Sequence, residues 1–126
     1  MVKINPGEPY SRISSEEAYE MQSNGDSLVI DVRNEDEYEG GHVKDAKWIP
    51  VDEIVQRVDE LPESGNILFI CAVGARSGLA AEYASSLGIE SERLFNIEDG
   101  TPTWINKGLP SSTGKNKWAL LTQRSM

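Results

Sequence analysis

Apolar residues gather into three short continuous runs: Leu28-Val29-Ile30, Ile67-Leu68-Phe69-Ile70 and Leu94-Phe95-Asn96-Ile97. Polar or glycine-containing turns bound each run. Continuous apolar runs, rather than alternating ones, are what strands covered on both faces require, as in a parallel sheet. Lys47-Trp48-Ile49, stopped by Pro50, is a weaker fourth candidate, and Ser11-Arg12-Ile13 a very short fifth.

Helical patterns lie between them. Ser14-Ser15-Glu16-Glu17 reads as a capping box opening a helix to about Ser23, ended by Asn24-Gly25. Asn34 to Glu37 repeats that logic for a short helix stopped at Gly40-Gly41. Val51, Ile54, Val55, Val58 and Leu61 share one helical face, limited by Pro62. Leu79, Ala80, Tyr83, Ala84 and Leu87 do the same, closed by Gly88, in a helix expected from about Ser77. Strands alternating with helices predict βα units and a parallel sheet with helices on both faces. Residues 1–110 are read as one unit. Residues 111–126 are read as a polar, basic tail, with a linker over Ser111–Asn116 and an apolar Trp118–Leu121 that could dock back.

Composition narrows the function. All 21 acidic residues fall before Pro110, against nine basic ones, for −12; Lys115, Lys117 and Arg124 give the tail +3. A nucleic-acid binder needs a basic footprint, and this chain has the opposite sign. No apolar run approaches the ~20 residues of a membrane span, and no signal-peptide core follows Met1. With a single cysteine and no internal disulfide to form, the expectation is a cytoplasmic location with no membrane partner. One histidine and one cysteine leave no metal cluster, and no cofactor is expected.

The chemistry concentrates in one segment. Cys71 ends the most hydrophobic strand and opens Cys71-Ala72-Val73-Gly74-Ala75-Arg76-Ser77-Gly78. Ligands of open α/β sheets bind beyond the carboxyl ends of strands, where loops enter helices. The following helix turns its positive dipole end and unpaired N–H groups toward that loop, a field that lowers a thiol pKa. Gly74 permits a tight backbone turn, Ala72 and Ala75 add little bulk, and Arg76 supplies a permanent cation. These features suit a stabilised thiolate or persulfide. A lone cysteine at a strand end is otherwise most often a small inert hydrophobe.

Cys71-x-x-Gly74-x-Arg76-Ser77 resembles the active-site loop of the rhodanese (sulfurtransferase) family. Further pieces follow in the same order: Val29-Ile30-Asp31-Val32-Arg33, Glu37-Tyr38, Gly41-His42-Val43, Ala46, Ile49-Pro50, Gly100-x-x-x-Trp104 and Gly108-x-Pro110. The resemblance covers about residues 12–110. It implies a five-stranded parallel sheet flanked by helices, and a cysteine that carries sulfane sulfur by double displacement. On that basis Cys71 is the expected nucleophile. Ala72, Val73, Gly74, Ala75, Arg76 and Ser77 form the substrate loop, and Trp104 a pocket wall. Asp45 stands where the family often has glycine, and Asp99 replaces the first of a usual glycine pair.

Four residues, 72 to 75, separate cysteine from arginine. Phosphatases that share the fold use a larger loop, so phosphatase chemistry is disfavoured. Arg76 is expected to brace the loop on a carboxylate, with Asp31 a candidate partner and Arg33 nearby. Attack by a preformed thiolate needs no general base, so His42 is expected to be structural. Glu35-Asp36-Glu37 reads as a solvated helix start. Lacking a second cysteine, a persulfide here requires an external acceptor: cyanide, a small thiol or a protein thiol. Residues 72, 73 and 75 are uncharged, so steering of dianionic thiosulfate should be weak and a persulfide donor is the other candidate. Two other readings share these residues: a non-catalytic sulfur carrier or protein-binding module, and a domain detached from a longer protein.

Overall fold

A computed structural model of the chain describes residues 2–115. The stretches expected as buried strands form β1 (Ser11–Ile13), β2 (Ser27–Asp31), β4 (Lys47–Trp48), β5 (Asn66–Ile70) and β6 (Leu94–Ile97). They make one five-stranded sheet in the order β1-β6-β5-β2-β4, parallel throughout. Two very short strands, β3 (His42–Val43) and β7 (Ser111–Ser112), pair antiparallel beside it.

Side chains along β5 alternate between the two faces although the run is apolar throughout. Ile67, Phe69 and Cys71 join a core with Ala80, Ala81 and Ala84 of helix α3 (Ala75–Ser86) and with Ile54 and Leu61. Leu68 and Ile70 join the opposite core with Ala18 of α1 (Ser15–Ser23) and Trp104 of α4 (Gly100–Asn106). Helices therefore cover both faces. The fourth helix, α2 (Glu35–Gly40), follows β2. In α1 the capping box is present: Ser14 Oγ accepts from the Glu17 N–H, and Glu17 Oε1 accepts from the Ser14 N–H at 2.8 Å.

Three local expectations change. Residues 51–61 are two 3₁₀ turns, Val51–Glu53 and Val58–Glu60, rather than one helix. Ile54 and Leu61 reach the core while Val55 is exposed, and Arg57 bonds both Glu53 and Glu60. In α3 the buried stripe is Ser77, Gly78, Ala80, Ala81 and Ala84, and Leu79 and Leu87 lie outside. Small residues let this helix lie close on β5 and β6, and a leucine does not fit beneath it. Of the stretch read as linker, Ser111-Ser112 forms β7, and the Gly114 N–H donates to the Glu39 carbonyl. Trp118–Leu121 lies outside the described residues.

Candidate active site

Register places three strand ends side by side. Asp31 is level with Ile70, and Ile70 with Ile97, so residues 31–33, 71–77 and 98–101 meet at the carboxyl end of the sheet. Cys71 is the first residue beyond β5, and its side chain is fully buried. Gly74, at φ +91°, caps α3 and contributes no capping side chain. The sulfur takes that place. The Gly74 N–H donates to Cys71 Sγ at 3.1 Å, and Ser77 Oγ lies 3.2 Å from it. A helix leaves its first N–H groups unpaired, and here they meet a group that gains from carrying negative charge. Burial pushes the Cys71 thiol up. The Ser77 hydroxyl and the backbone N–H groups of Ser77, Val73 and Gly74 outweigh it and hold the thiol below its ordinary range.

Neighbouring elements brace the loop. The Thr101 N–H and hydroxyl both donate to the Cys71 carbonyl, at 2.9 and 3.2 Å. Gly100 precedes it at φ +79°, and a Cβ there would sit 1.9 Å from the Ala72 carbonyl oxygen. Asn96, buried on β6, accepts from Ser77 Oγ at 2.6 Å through Oδ1 and donates to the Gly74 carbonyl at 3.0 Å through Nδ2. Thr101 and Asn96 escaped the sequence reading. Asn96 left a signal, as the one polar residue in an apolar strand.

Arg76 braces the loop, but on Glu37 rather than Asp31. Its Nη1 and Nη2 donate to the two Glu37 oxygens at 2.8 and 3.0 Å. The Arg76 guanidinium, with burial opposing it, holds the Glu37 carboxyl at about 2. Asp31 is taken by Arg33, whose Nε and Nη2 reach it at 3.0 and 2.8 Å and whose Nη2 also donates to the Gly41 carbonyl. Two residues of separation at the strand end favour that buried pair over a distant partner. Glu35 and Asp36 are exposed as expected; Glu37 is half-buried.

His42 is structural in its contacts. It stacks on Tyr38 at 3.7 Å between ring centroids, and its Nδ1 lies 2.7 Å from the Tyr38 carbonyl. Trp104 is not a pocket wall. It is 0% exposed, packs edge-on to Tyr19, and donates from Nε1 to the Pro110 carbonyl at 2.8 Å, which seats the turn after α4. Around the loop, Ala72 and Arg76 are half-buried, Ala75 is exposed, and Val73 is exposed at 79%. A cleft of about 270 Å³ runs beside it, lined among others by Arg33, Glu37, Thr101, Pro102 and Ile105. Asp45, where glycine was expected, adopts φ +68°. Asp99 accepts from Ser15 through both carboxylate oxygens.

The family model described as Rhodanese-like domain matches residues 14–107. This chain belongs to the rhodanese-like domain family. Relatives that match this chain carry the names of sulfurtransferases, of a sulfur carrier and of a transcriptional regulator. A protein of Allochromatium vinosum named Sulfurtransferase is 33% identical over 85 residues, covering 68% of this chain and 78% of that protein. YrkF of Bacillus subtilis, whose name proposes a sulfur carrier, is 33% identical over 93 residues, covering 72% of this chain. The chain spans only about half (49%) of that relative's length. The crystal structure of a rhodanese-related protein from Thermoplasma volcanium superposes with a TM-score of 0.66 at 28% identity, over 80% of this chain and 96% of that one. No helix among the described residues is long and apolar enough to cross a membrane.

Proposed function

We propose that the chain is a sulfurtransferase that passes sulfane sulfur through a Cys71 persulfide. The observation that carries this reading is Cys71 Sγ standing where a helix cap would, against N–H groups and the Ser77 hydroxyl. In the first half-reaction the Cys71 thiolate attacks the outer sulfur of a donor. The donor S–S bond breaks, and its electron pair leaves with sulfite or with a thiolate. The loop donors then hold the Cys71 persulfide anion as an oxyanion hole holds a developing charge.

In the second half-reaction cyanide, a small thiolate or a protein thiolate attacks the outer persulfide sulfur, and the Cys71 thiolate is regenerated. An S–S bond adds about 2 Å of reach to an otherwise buried sulfur, which helps a bulky acceptor. Since Cys71 is the only cysteine, the acceptor must come from outside the chain. A cytoplasmic setting, reducing and free of structural disulfides, suits that chemistry.

Intact mass of the reduced protein after incubation with a sulfane donor tests the reading. One added sulfur, about 32 Da, lost on adding cyanide and absent in Cys71→Ser, is the expected result. A folded protein that gains no sulfur from any donor would overturn it. A persulfide that forms but does not turn over with small acceptors would mark a carrier instead.

A further inference from the structure

Glu37 stands against the only cation of the loop that carries Cys71. Both its carboxylate oxygens are committed to Arg76, at 2.8 and 3.0 Å. The nearby Arg33 is equally committed to Asp31. The rim of the site thus holds two guanidiniums and two carboxylates, balanced before Cys71 ionises. Beside these charges the outward surface is largely apolar, with Val73 79% and Ile105 39% exposed and Pro102 in the cleft that Glu37 helps to line; Asn106 is the exposed polar side chain there.

We infer that Glu37 is a specificity-determining residue: by occupying Arg76 it turns the Cys71 site away from dianionic donors such as thiosulfate and toward persulfides borne on a neutral, apolar carbon group. The inference rests on the sulfur-transfer reading above. With thiosulfate, the Cys71 thiolate attacks the outer sulfur, the S–S bond breaks, and sulfite leaves with the pair, giving a Cys71 persulfide anion. Three negative charges converge on a rim whose guanidiniums are already paired. With a neutral alkyl hydropersulfide the same attack carries one negative charge throughout, and that charge leaves on the alkyl thiolate.

Glu37→Gln removes the charge and keeps an oxygen that can accept from the Asn34 N–H, as Glu37 Oε1 does at 3.1 Å. The experiment measures the rate of Cys71 persulfide formation by intact mass on the full chain. Donors are thiosulfate and the hydropersulfide of ethanethiol, each at low and high salt. Glu37→Gln should raise the ratio of the thiosulfate rate to the alkyl rate by about tenfold, with the gain shrinking as salt rises. A role confined to bracing the loop lowers both rates together, and an unchanged ratio would overturn the inference. The double variant Glu37→Gln/Arg76→Gln gives a second arm, because Arg76→Gln alone would leave Glu37 as an unpaired carboxylate. If Glu37 acts by occupying Arg76, the double variant returns the donor ratio to that of the natural chain; a double variant that keeps the tenfold gain would show that Arg76 is not the cation thiosulfate uses, and would equally overturn the inference. Failure of both donors to load Cys71 in the natural chain would instead defeat the sulfur-transfer reading itself.

Discussion

Ser77 has one hydroxyl proton and two acceptors that claim it. With Cys71 as a thiol, the S–H can donate to Ser77 Oγ while Ser77 donates to Asn96 Oδ1 at 2.6 Å. Once Cys71 ionises it has no proton to give, so the hydroxyl can bond the sulfur only by turning away from Asn96 Oδ1. The bond from Asn96 Nδ2 to the Gly74 carbonyl keeps the amide in place for the return swing. Ser77→Ala should therefore shift the pH profile of Cys71 alkylation upward. A hydrogen bond to a charged group is worth about 1.5 kcal/mol or more, so alkylation near pH 6 should slow roughly tenfold. Stopped-flow alkylation across pH checks this, and an unchanged profile would assign the whole effect to backbone N–H groups. At this scale the loop from Cys71 to Ser77 was legible, because its chemistry is contiguous in sequence. Glu37, Asn96 and Thr101 were not, because each meets the loop across a long separation: 39 residues from Glu37 to Arg76, 19 from Ser77 to Asn96 and 30 from Cys71 to Thr101. Trp104 was misread because position along the chain does not reveal which way a helical side chain faces.

The elements hold the loop by close backbone approach as much as by hydrogen bonds. Gly100 is the tightest point: left-handed backbone at φ +79° and a Cβ position 1.9 Å from the Ala72 carbonyl oxygen leave no way to fit a methyl group. Gly100→Ala should cost more than about 2 kcal/mol, through strain and displacement of the loop together. For a domain of this size that is a fall in Tm of about 8 °C or more, measured by thermal unfolding. An alanine variant of natural stability would show that the loop yields freely. Strand positions and the α1 cap were readable because a buried strand and a capping box leave local signatures. The two 3₁₀ turns and the rotated stripe of α3 were not. A periodic pattern of apolar residues states that some face is buried, and only the neighbouring strands decide whether alanines or leucines fit there.

At the scale of the whole molecule the acidic balance makes pH a structural variable. Glu37 is held at about 2 by the Arg76 hydrogen bonds, and Glu60 at about 2 by those of Arg57, against an ordinary value of 4.5. Each folded-state value lies below the unfolded one, so the stability these pairs add is fully present above about pH 4.5 and is lost as pH falls toward about 2. Both carboxylates are about a third exposed or more, so solvent screens part of the gain. Urea midpoints should hold steady above about pH 5 and decline below it, and Glu37→Gln should show a shallower decline. An acid limb of equal depth in the variant would remove the Arg76 pair from the account.

Taken by itself, the sequence determined the class of fold, the strand segments, the α1 cap and the cysteine-bearing loop, because hydrophobic periodicity, caps and a cysteine at a strand end are local patterns. Tertiary structure alone decided which carboxylate pairs with Arg76, which amide claims the Ser77 proton and that Trp104 is core. Those outcomes follow from the order β1-β6-β5-β2-β4, which sets the ends of β2, β5 and β6 side by side and brings together groups that lie far apart along the chain.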